Sequence, residues 1–180
     1  MIKCSVFCGA SVDGFIAGES GNIEWLHRPE YETSEAFGLT YDGFIASVDT
    51  VVIGRHTFEK VLGFDGWPYK IPVVVLSSTL RQLPENLEGK ARLLSAPPKE
   101  IVEQLSAEGK RHLYVDGGIT IQKFLKARLI DEITITLLPT VLGAGIPLFG
   151  SVGVERRLKL IETASAKNGF VQVRYSVEKA

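Results

Sequence analysis

The sequence is poor in the features that mark several specialised classes of protein. It has two cysteines and one methionine in 180 residues, and no apolar run approaches the roughly 20 residues that span a bilayer. The N-terminus has one lysine and no long apolar segment, unlike a secretory signal. Twenty basic and twenty-one acidic residues leave a net charge of −1, so no overall field favours nucleic acid or anionic lipid. We therefore expect a cytoplasmic protein in which a local group of residues binds any anionic ligand.

Neither disulfides nor metal ligands are predicted. Cys4 and Cys8 fall in a strand-like segment, about 13 Å apart at about 3.3 Å per residue, which is too far for a disulfide. We expect both to be buried thiols. His27, His56 and His112 have no close ligand partners in the sequence, so no metal site is expected.

The chain length suits one domain, and we expect a single domain over residues 1–180. β-branched or apolar runs are followed by turn residues and then by helical spacing, which predicts a mainly parallel sheet with helices on both faces. An Asn-Gly pair at 168–169 between alternating segments predicts that the sheet ends in an antiparallel hairpin. A helix is also expected over 35–47. The predicted strands are 2–8, 50–53, 73–76, 112–115, 133–138 and 171–177.

Residues suited to phosphate follow three of these strands. Gly54 precedes a predicted helix N-terminus, with a guanidinium and a hydroxyl in its first turn at Arg55 and Thr57. Ser77, Ser78 and Arg81 follow the next strand, and Gly117–Gly118 opens another helix. Ligands of parallel sheets bind beyond the carboxyl ends of the strands. Taken singly, such a cluster is more often a turn with a surface cation, but together the three indicate a ligand with several phosphates, such as a dinucleotide.

The standard phosphate and hydrolase motifs are not found. The sequence has no G-x-x-x-x-G-K-[ST] and no G-x-S-x-G. Gly143–Ala144–Gly145 has neither the third glycine nor the helix start of a Rossmann fingerprint.

The order of motifs resembles the dihydrofolate reductase fold. Its cofactor segments are matched by V-I-G-R-H-T-F-E at 52–59, V-L-S-S at 75–78 and the paired glycines at 117–118. The chain resembles more closely the C-terminal reductase domain of bacterial riboflavin-biosynthesis deaminase-reductases and its stand-alone relatives. That family's motifs are matched by S-V-D-G-F-I-A at 11–17, L-I-D-E at 129–132 and P-T-V-L-G-A-G-I-P-L-F at 139–149.

This resemblance implies a three-layer α/β fold and NADPH-dependent hydride transfer to a small heterocycle, as in 5-amino-6-(5-phosphoribosylamino)uracil reductase. The deaminase signature is absent, which implies a stand-alone reductase. The 2′-phosphate would lie at the G-R-x-T segment and the serines, and the pyrophosphate at the paired glycines. The cofactor positions implied are Gly54, Arg55, His56, Thr57, Leu76, Ser77, Ser78, Gly117, Gly118, Thr120 and Ile121.

The sequence leaves open which residue acts as the catalytic acid and which compound accepts the hydride. Asp13 and Glu30 are the candidate catalytic acids; the alternative and more common explanations are an Asp-Gly turn for Asp13 and a solvated carboxylate for Glu30. Reduction of folate or pterin, a nucleotide-binding module without turnover, and a structural dimer with a blocked cleft are the alternative functions. The resemblance also implies a homodimer, with 139–149 and the final hairpin as candidate interface elements.

Overall fold

The computed structural model describes residues 2–32, 36–153 and 155–179, and its centre is an eight-stranded sheet. Its strands are β1 (Lys3–Ser11), β3 (Thr50–Gly54), β4 (Val73–Leu76), β5 (Ala91–Leu94), β6 (His112–Asp116), β7 (Glu132–Leu138), β9 (Leu158–Ser165) and β10 (Val171–Val177). Separately, β2 (Phe15–Ala17) pairs with β8 (Ile146–Pro147).

The strand order of the main sheet is β5-β4-β3-β6-β1-β7-β10-β9. Neighbours from β5 to β7 are parallel, whereas β10 runs antiparallel to both β7 and β9. The predicted mixed sheet with a C-terminal antiparallel hairpin is therefore confirmed.

Within the described part of the chain, four α-helices cover the two faces of the sheet. They are α1 (Tyr41–Ala46), α2 (Arg55–Leu62), α3 (Pro98–Ala107) and α4 (Gly118–Lys126). Phe44 of α1 and Phe58 of α2 pack in one apolar cluster, and Leu105 of α3 and Phe124 of α4 pack in another. The central strands contribute alternate residues to the two clusters, because successive side chains of a strand point to opposite faces. No helix among the described residues is long and apolar enough to cross a membrane.

The helix expected over 35–47 is shorter than predicted. It begins at Tyr41 and ends at Ala46, and the residues at 33–35 lie outside those described. Gly38 adopts a positive φ of 54°, which interrupts helical backbone before this point. The Thr40 hydroxyl then accepts a hydrogen bond from the Gly43 N–H at 3.1 Å and caps the new N-terminus.

One strand of the main sheet was not expected. β5 extends the sheet beyond β4 as a parallel edge strand. Its sequence, Ala-Arg-Leu-Leu, has no β-branched residue, so local propensity gives little indication of a strand.

The cysteines are both free, and the expectation of buried thiols holds fully for Cys4. Cys4 is 1% exposed, and burial raises the pKa of its thiol to about 12. Cys8 is only partly buried, because it lies further along β1 and borders a cleft.

Candidate active site

A cleft of about 1530 Å³ opens where the parallel strands end. Gly54 ends β3, Ser77 follows β4 and Gly117 follows β6, and all three border this cleft. The three strand ends that the sequence predicted to converge therefore do so. A cleft of this size differs from the blocked one expected of a purely structural dimer.

Two helices begin at this cleft without a side-chain cap. Gly54 is the N-cap of α2 and Gly117 is the N-cap of α4, and neither helix has an acidic residue in its first turn. The first N–H groups of a helix have no partner within it, and the N-terminus carries a partial positive charge. These two N-termini therefore offer N–H donors to an anion in the cleft.

The two N-termini are packed against each other through their glycines. A Cβ at Gly54 would lie 2.6 Å from the Thr120 hydroxyl of α4, and a Cβ at Gly117 would overlap the Thr57 hydroxyl of α2. Gly117 also has a φ of +89°, which side-chain-bearing residues rarely adopt. Glycine is thus required at both positions for the close approach, and at Gly117 also for the backbone conformation.

A polar cluster lies at the β3–β4 end of the cleft. The Arg55 Nε donates to Glu59 at 2.6 Å, and its Nη1 donates to the Thr79 hydroxyl at 2.9 Å. The Ser77 hydroxyl accepts from the Thr79 and Leu80 N–H groups at 3.2 and 3.0 Å. Two of the five guanidinium donors are engaged, so three remain for a ligand. Sequence reasoning missed Thr79 and Glu59, since both act only through the position of Arg55.

Ten of the eleven predicted cofactor positions border the cleft and Ile121 does not, while the cofactor role of all eleven stays a prediction. Ile121 is fully buried in the core, and its N–H donates to the Gly117 carbonyl at 2.9 Å. Its position one turn into α4 directs the side chain toward the sheet. Arg81 of the third sequence cluster also lies outside the lining. The remaining positions line the cleft: Gly54, Arg55, His56, Thr57, Leu76, Ser77, Ser78, Gly117, Gly118 and Thr120.

Asp13 lies outside the lining and connects two loops. Its carboxylate accepts hydrogen bonds from the Ser11 hydroxyl at 2.6 Å and from the Leu142 and Gly143 N–H groups at 3.1 and 2.7 Å. The Ser11 hydrogen bond is the main cause of a lowered pKa for Asp13. These contacts hold the β1–β2 turn against the segment after β7, and the predicted catalytic role of Asp13 stays a prediction.

Glu30, the second predicted acid, is exposed on a short 3₁₀ segment, Pro29–Tyr31, and is also outside the lining. Its catalytic role likewise stays a prediction.

Asp116 is a carboxyl that sequence reasoning passed over, and it does line the cleft. It ends β6, directly before Gly117. Burial raises the pKa of Asp116 to about 6, and a hydrogen bond from the Gly117 backbone opposes this effect. Sequence reasoning treated Asp116 as part of the turn before the paired glycines. The signal that could have identified it is an acidic residue placed where a buried strand meets a glycine-opened helix.

The raised pKa of Asp116 predicts how stability depends on pH. The folded protein binds the proton of the Asp116 carboxyl more tightly than the unfolded chain does. The stability that this protonation contributes is therefore present below about pH 4 and is lost as the pH rises through about 6. Asparagine does not titrate, so the free energy of unfolding of Asp116→Asn should rise relative to that of the native protein as the pH increases. We expect this difference to grow by about 2–3 kcal/mol from pH 4 to pH 7.5, because each tenfold change in proton affinity corresponds to about 1.4 kcal/mol. Urea unfolding of both proteins across this range measures the difference. Parallel stability curves would contradict the assignment.

The fold and cleft define the class of this protein as an α/β domain of the dihydrofolate reductase type. The dihydrofolate reductase of Enterococcus faecalis, solved with NADP(H) and RAB-propyl, has this fold, with a TM-score of 0.65 at 17% identity over 98% of this chain and 97% of that one. The sequence profile of the RibD C-terminal domain matches residues 3–172, and the chain belongs to that family. The family and fold implied by the sequence motifs are thereby confirmed.

Two further proteins are similar over nearly their full lengths. A putative riboflavin biosynthesis protein from Shewanella sp. PV-4 has a TM-score of 0.89 and 37% identity, covering 99% of this chain and 100% of that chain. The uncharacterized protein YwjB of Bacillus subtilis is 31% identical over 161 residues, covering 88% of each chain. In both comparisons the similarity covers at least 88% of each chain.

Proposed function

We propose that the protein is an NADPH-dependent oxidoreductase that transfers a hydride to a small heterocyclic acceptor in the cleft. The observation that carries the proposal is the convergence of two uncapped helix N-termini, at Gly54 and Gly117, with the Arg55 guanidinium in one cleft. Membership of the RibD C-terminal domain family supports an oxidoreductase. The NADP(H) complex of the enterococcal reductase supports the cofactor class.

The residues of the cleft suit a dinucleotide diphosphate with an additional phosphate. The glycines at 54 and 117 leave the helix N–H groups accessible, so α2 and α4 would hold the pyrophosphate. Arg55 and Ser78 would hold the 2′-phosphate, with Glu59 and Thr79 fixing the direction of the guanidinium. When bound, NADPH supplies the hydride, and the protein orients the acceptor against it and excludes water.

The acceptor side needs a group that can supply a proton near neutral pH. We propose Asp116 for this role, because it borders the cleft and burial raises its pKa to about 6. Asp13 and Glu30 remain the candidates proposed from the sequence. The family relationship favours an acceptor like the phosphoribosylamino-pyrimidine of riboflavin biosynthesis, and the fold also suits a pterin.

The test is NADPH oxidation followed by absorbance, with pyrimidine, pterin and simple carbonyl acceptors. We expect Asp116→Asn to lower turnover at least tenfold while NADPH affinity stays within about threefold, since general acid catalysis is typically worth about 10²–10⁴ in rate. Asp13→Asn and Glu30→Gln in the same assay test the other two acids. A protein that binds no NADPH would contradict the proposal, and binding without oxidation of any acceptor would favour a nucleotide-binding module.

We also propose a cytoplasmic homodimer. The hairpin β9–β10 supports the dimer, because Leu160 and Ile161 of its edge strand are 53% and 46% exposed. The segment 139–149 contributes Val141, which is 70% exposed, whereas Leu148 packs inside the core. Apolar side chains grouped on an open strand are typical of association surfaces.

The dimer predicts a change of mass on substitution. We expect the native protein to sediment as a dimer and Leu160→Glu to sediment as a monomer at micromolar concentration, because a charge would be desolvated in the interface. Analytical ultracentrifugation measures this, with Leu62→Glu, at an exposed apolar residue of α2 outside both candidate interface elements, as the matched control. A native monomer would contradict the proposal.

A further inference from the structure

We propose that a second cavity, at the opposite end of the parallel strands from the cleft, binds a small aliphatic carboxylate through the side chains of Lys3 and Arg174. This cavity has a volume of about 200 Å³, which leaves room for a ligand of several non-hydrogen atoms. None of the described residues that line it also lines the cleft. The inference therefore stands independently of the proposed function.

The cavity lies where the parallel strands begin. Three strands contribute side chains to its lining near their first residues: Lys3 and Ser5 from β1, His112 from β6 and Glu132 from β7. In the parallel registers Lys3 pairs with His112, and Ser5 pairs with Glu132. These side chains share one face of the sheet, because alternate residues of a strand point the same way. Arg174 of the antiparallel strand β10 completes the charged part of the lining.

The opposite side of the cavity is apolar and held in place. Leu39 and Phe44 line it from the segment before α1 and from α1 itself. The Gln172 side chain fixes the backbone of Leu39, since its Oε1 accepts from the Leu39 N–H at 2.7 Å and its Nε2 donates to the Leu39 carbonyl at 3.0 Å. Phe44 stacks on Phe7 with ring centroids 4.8 Å apart. The cavity is therefore preformed, with apolar groups facing charged ones.

The charged groups that line the cavity do not balance one another. The Glu132 carboxylate accepts from the Lys3 ammonium at 2.7 Å and from the Arg174 Nη2 at 2.9 Å. Burial lowers the pKa of His112, the other titratable group of the lining, so its ring is neutral at pH 7. Among the described residues, the lining thus carries two positive charges and one negative charge. One bound monoanion would neutralise it.

Two further carboxylates lie near the cavity but outside its lining. Asp49 accepts hydrogen bonds from the Arg111 and His112 backbone N–H groups at 2.7 and 3.1 Å. Glu162 pairs with Arg174 in the register of β9 and β10, but its side chain is exposed. Within the described ranges, neither carboxylate makes an ion pair with Lys3 or Arg174. The excess positive charge of the lining is therefore available to a ligand.

Both cations keep hydrogen-bond donors for that ligand. The Nε and Nη2 of Arg174 donate to the same oxygen of Glu132, at 3.3 and 2.9 Å. In the part of the chain that the structure describes, the Arg174 Nη1 makes no hydrogen bond. The guanidinium edge formed by Nη1 and Nη2 presents parallel N–H groups, which match the two oxygens of a carboxylate. Lys3 adds the ammonium donors that Glu132 does not use.

The pair formed by His112 and Ser5 couples the cavity to pH. The His112 Nδ1 lies 2.8 Å from the Ser47 carbonyl, which only accepts, so Nδ1 carries a proton. Nε2 of the neutral ring then accepts from the Ser5 hydroxyl at 2.7 Å. When the ring is charged, Nε2 donates to Ser5 instead, and the hydroxyl proton is free to turn toward the cavity. A charged His112 therefore offers the anion an additional positive charge and an additional donor.

The charged groups around His112 determine the direction of this pH dependence. Lys3 and Arg174 oppose protonation of the ring, whereas Glu132 and Asp49 favour it. Burial opposes ionisation of Glu132, but hydrogen bonds from Lys3 and Arg174 hold its pKa below the usual value, so it stays charged. A bound carboxylate adds negative charge and favours the protonated ring. Affinity should therefore rise as the pH falls through the pKa of His112, which lies below its ordinary value of 6.5.

The experiment is a titration of the ¹⁵N-labelled protein with sodium butyrate, followed by NMR at constant ionic strength. We expect the amides of 3–5, 43–47 and 132–134 to shift together, with a dissociation constant on the order of 1 mM at pH 7.5. Butyramide, which has the same shape without the charge, should bind at least tenfold more weakly. Inorganic phosphate should also bind more weakly, because it has no alkyl chain for the apolar side. At pH 5.5 butyrate should bind at least threefold more tightly than at pH 8.

Two substitutions should change the affinity for butyrate in opposite directions. Arg174→Gln should weaken binding at least tenfold, because hydrogen bonds to a charged group are among the stronger ones. Glu132→Gln should tighten binding at least threefold, because it removes the carboxylate that competes for Lys3 and Arg174. Arg92→Gln is the matched control and should change affinity less than twofold, because Arg92 is a partly exposed arginine that pairs with Glu108 outside the cavity.

Several results would overturn the inference. They are equal binding of butyramide, tighter binding of phosphate, and shifts confined to the cleft segments 54–57 and 117–120. Failure of Glu132→Gln to tighten binding, or equal affinities at pH 8 and pH 5.5, would also overturn it. The titrations contain no NADPH, so failure of the proposed function would leave their result unchanged.

Discussion

Gly117→Ala is expected to destabilise the protein by about 3 kcal/mol and to weaken NADPH binding at least tenfold. Two costs add. The new Cβ overlaps the Thr57 hydroxyl, and an L side chain at a φ of +89° is strained. Overpacking costs typically about 1–3 kcal/mol and a left-handed residue about 1–2 kcal/mol. Relief of either strain moves the N-terminus of α4 away from α2, which separates the N–H groups proposed to bind the pyrophosphate. Urea unfolding and cofactor fluorescence measure the two effects.

Gly54→Ala is the matched control, because only the steric cost applies there. Its backbone has an ordinary φ of −82°, and the added Cβ meets only the Thr120 hydroxyl. Removing that hydroxyl in Gly54→Ala, Thr120→Ala should therefore restore most of the lost stability. Thr57→Ala should rescue Gly117→Ala only in part, since the strained φ remains. Full rescue of both glycines, or of neither, would contradict the packing described.

Arg55→Ala is expected to weaken NADPH binding about 10–100-fold and to change NADH binding less than threefold. The guanidinium is held toward the cleft by Glu59 and Thr79, so it meets a 2′-phosphate already oriented. Hydrogen bonds to charged groups contribute about 1.5–3 kcal/mol, which corresponds to this range of affinity. Fluorescence titration with both cofactors measures the ratio.

Arg81→Ala controls for the loss of a positive charge in the same part of the chain. Arg81 is exposed and does not line the cleft, so its removal should leave the NADPH to NADH ratio within twofold of the native protein. Screening by salt should reduce the effect of Arg55→Ala as well, because the arginine is partly exposed. Equal effects of the two substitutions would argue for a general field in place of a 2′-phosphate site.

Local sequence chemistry predicted the parallel core and the strand ends well. The run Thr50–Ile53 is β-branched and is followed by glycine, and it forms β3 and α2 as expected. The Asn-Gly pair at 168–169 gave the antiparallel hairpin, with Gly169 at a φ of 88°. These features are encoded within a few residues, so a single sequence is enough to find them.

Features set by distant contacts were harder to predict. β5 depends on pairing with β4, and Ile121 is turned inward by the phase of α4. The hydrogen-bond partners of Asp13 at Leu142 and Gly143 lie about 130 residues away in the sequence. Asp116 gains its raised pKa from burial in the folded protein. Burial and long-range partners are not visible in local patterns, so the acid candidates were the least predictable part of the site.

The most direct test of the central claim is to map NADPH onto the backbone amides of the ¹⁵N-labelled protein by NMR. The account predicts that the amides of 54–57, 77–79 and 117–120 shift together on titration, with one shared dissociation constant, because they meet at one cleft. The account would be contradicted if NADPH bound while the amides of these three segments did not shift, or if only amides on other surfaces shifted.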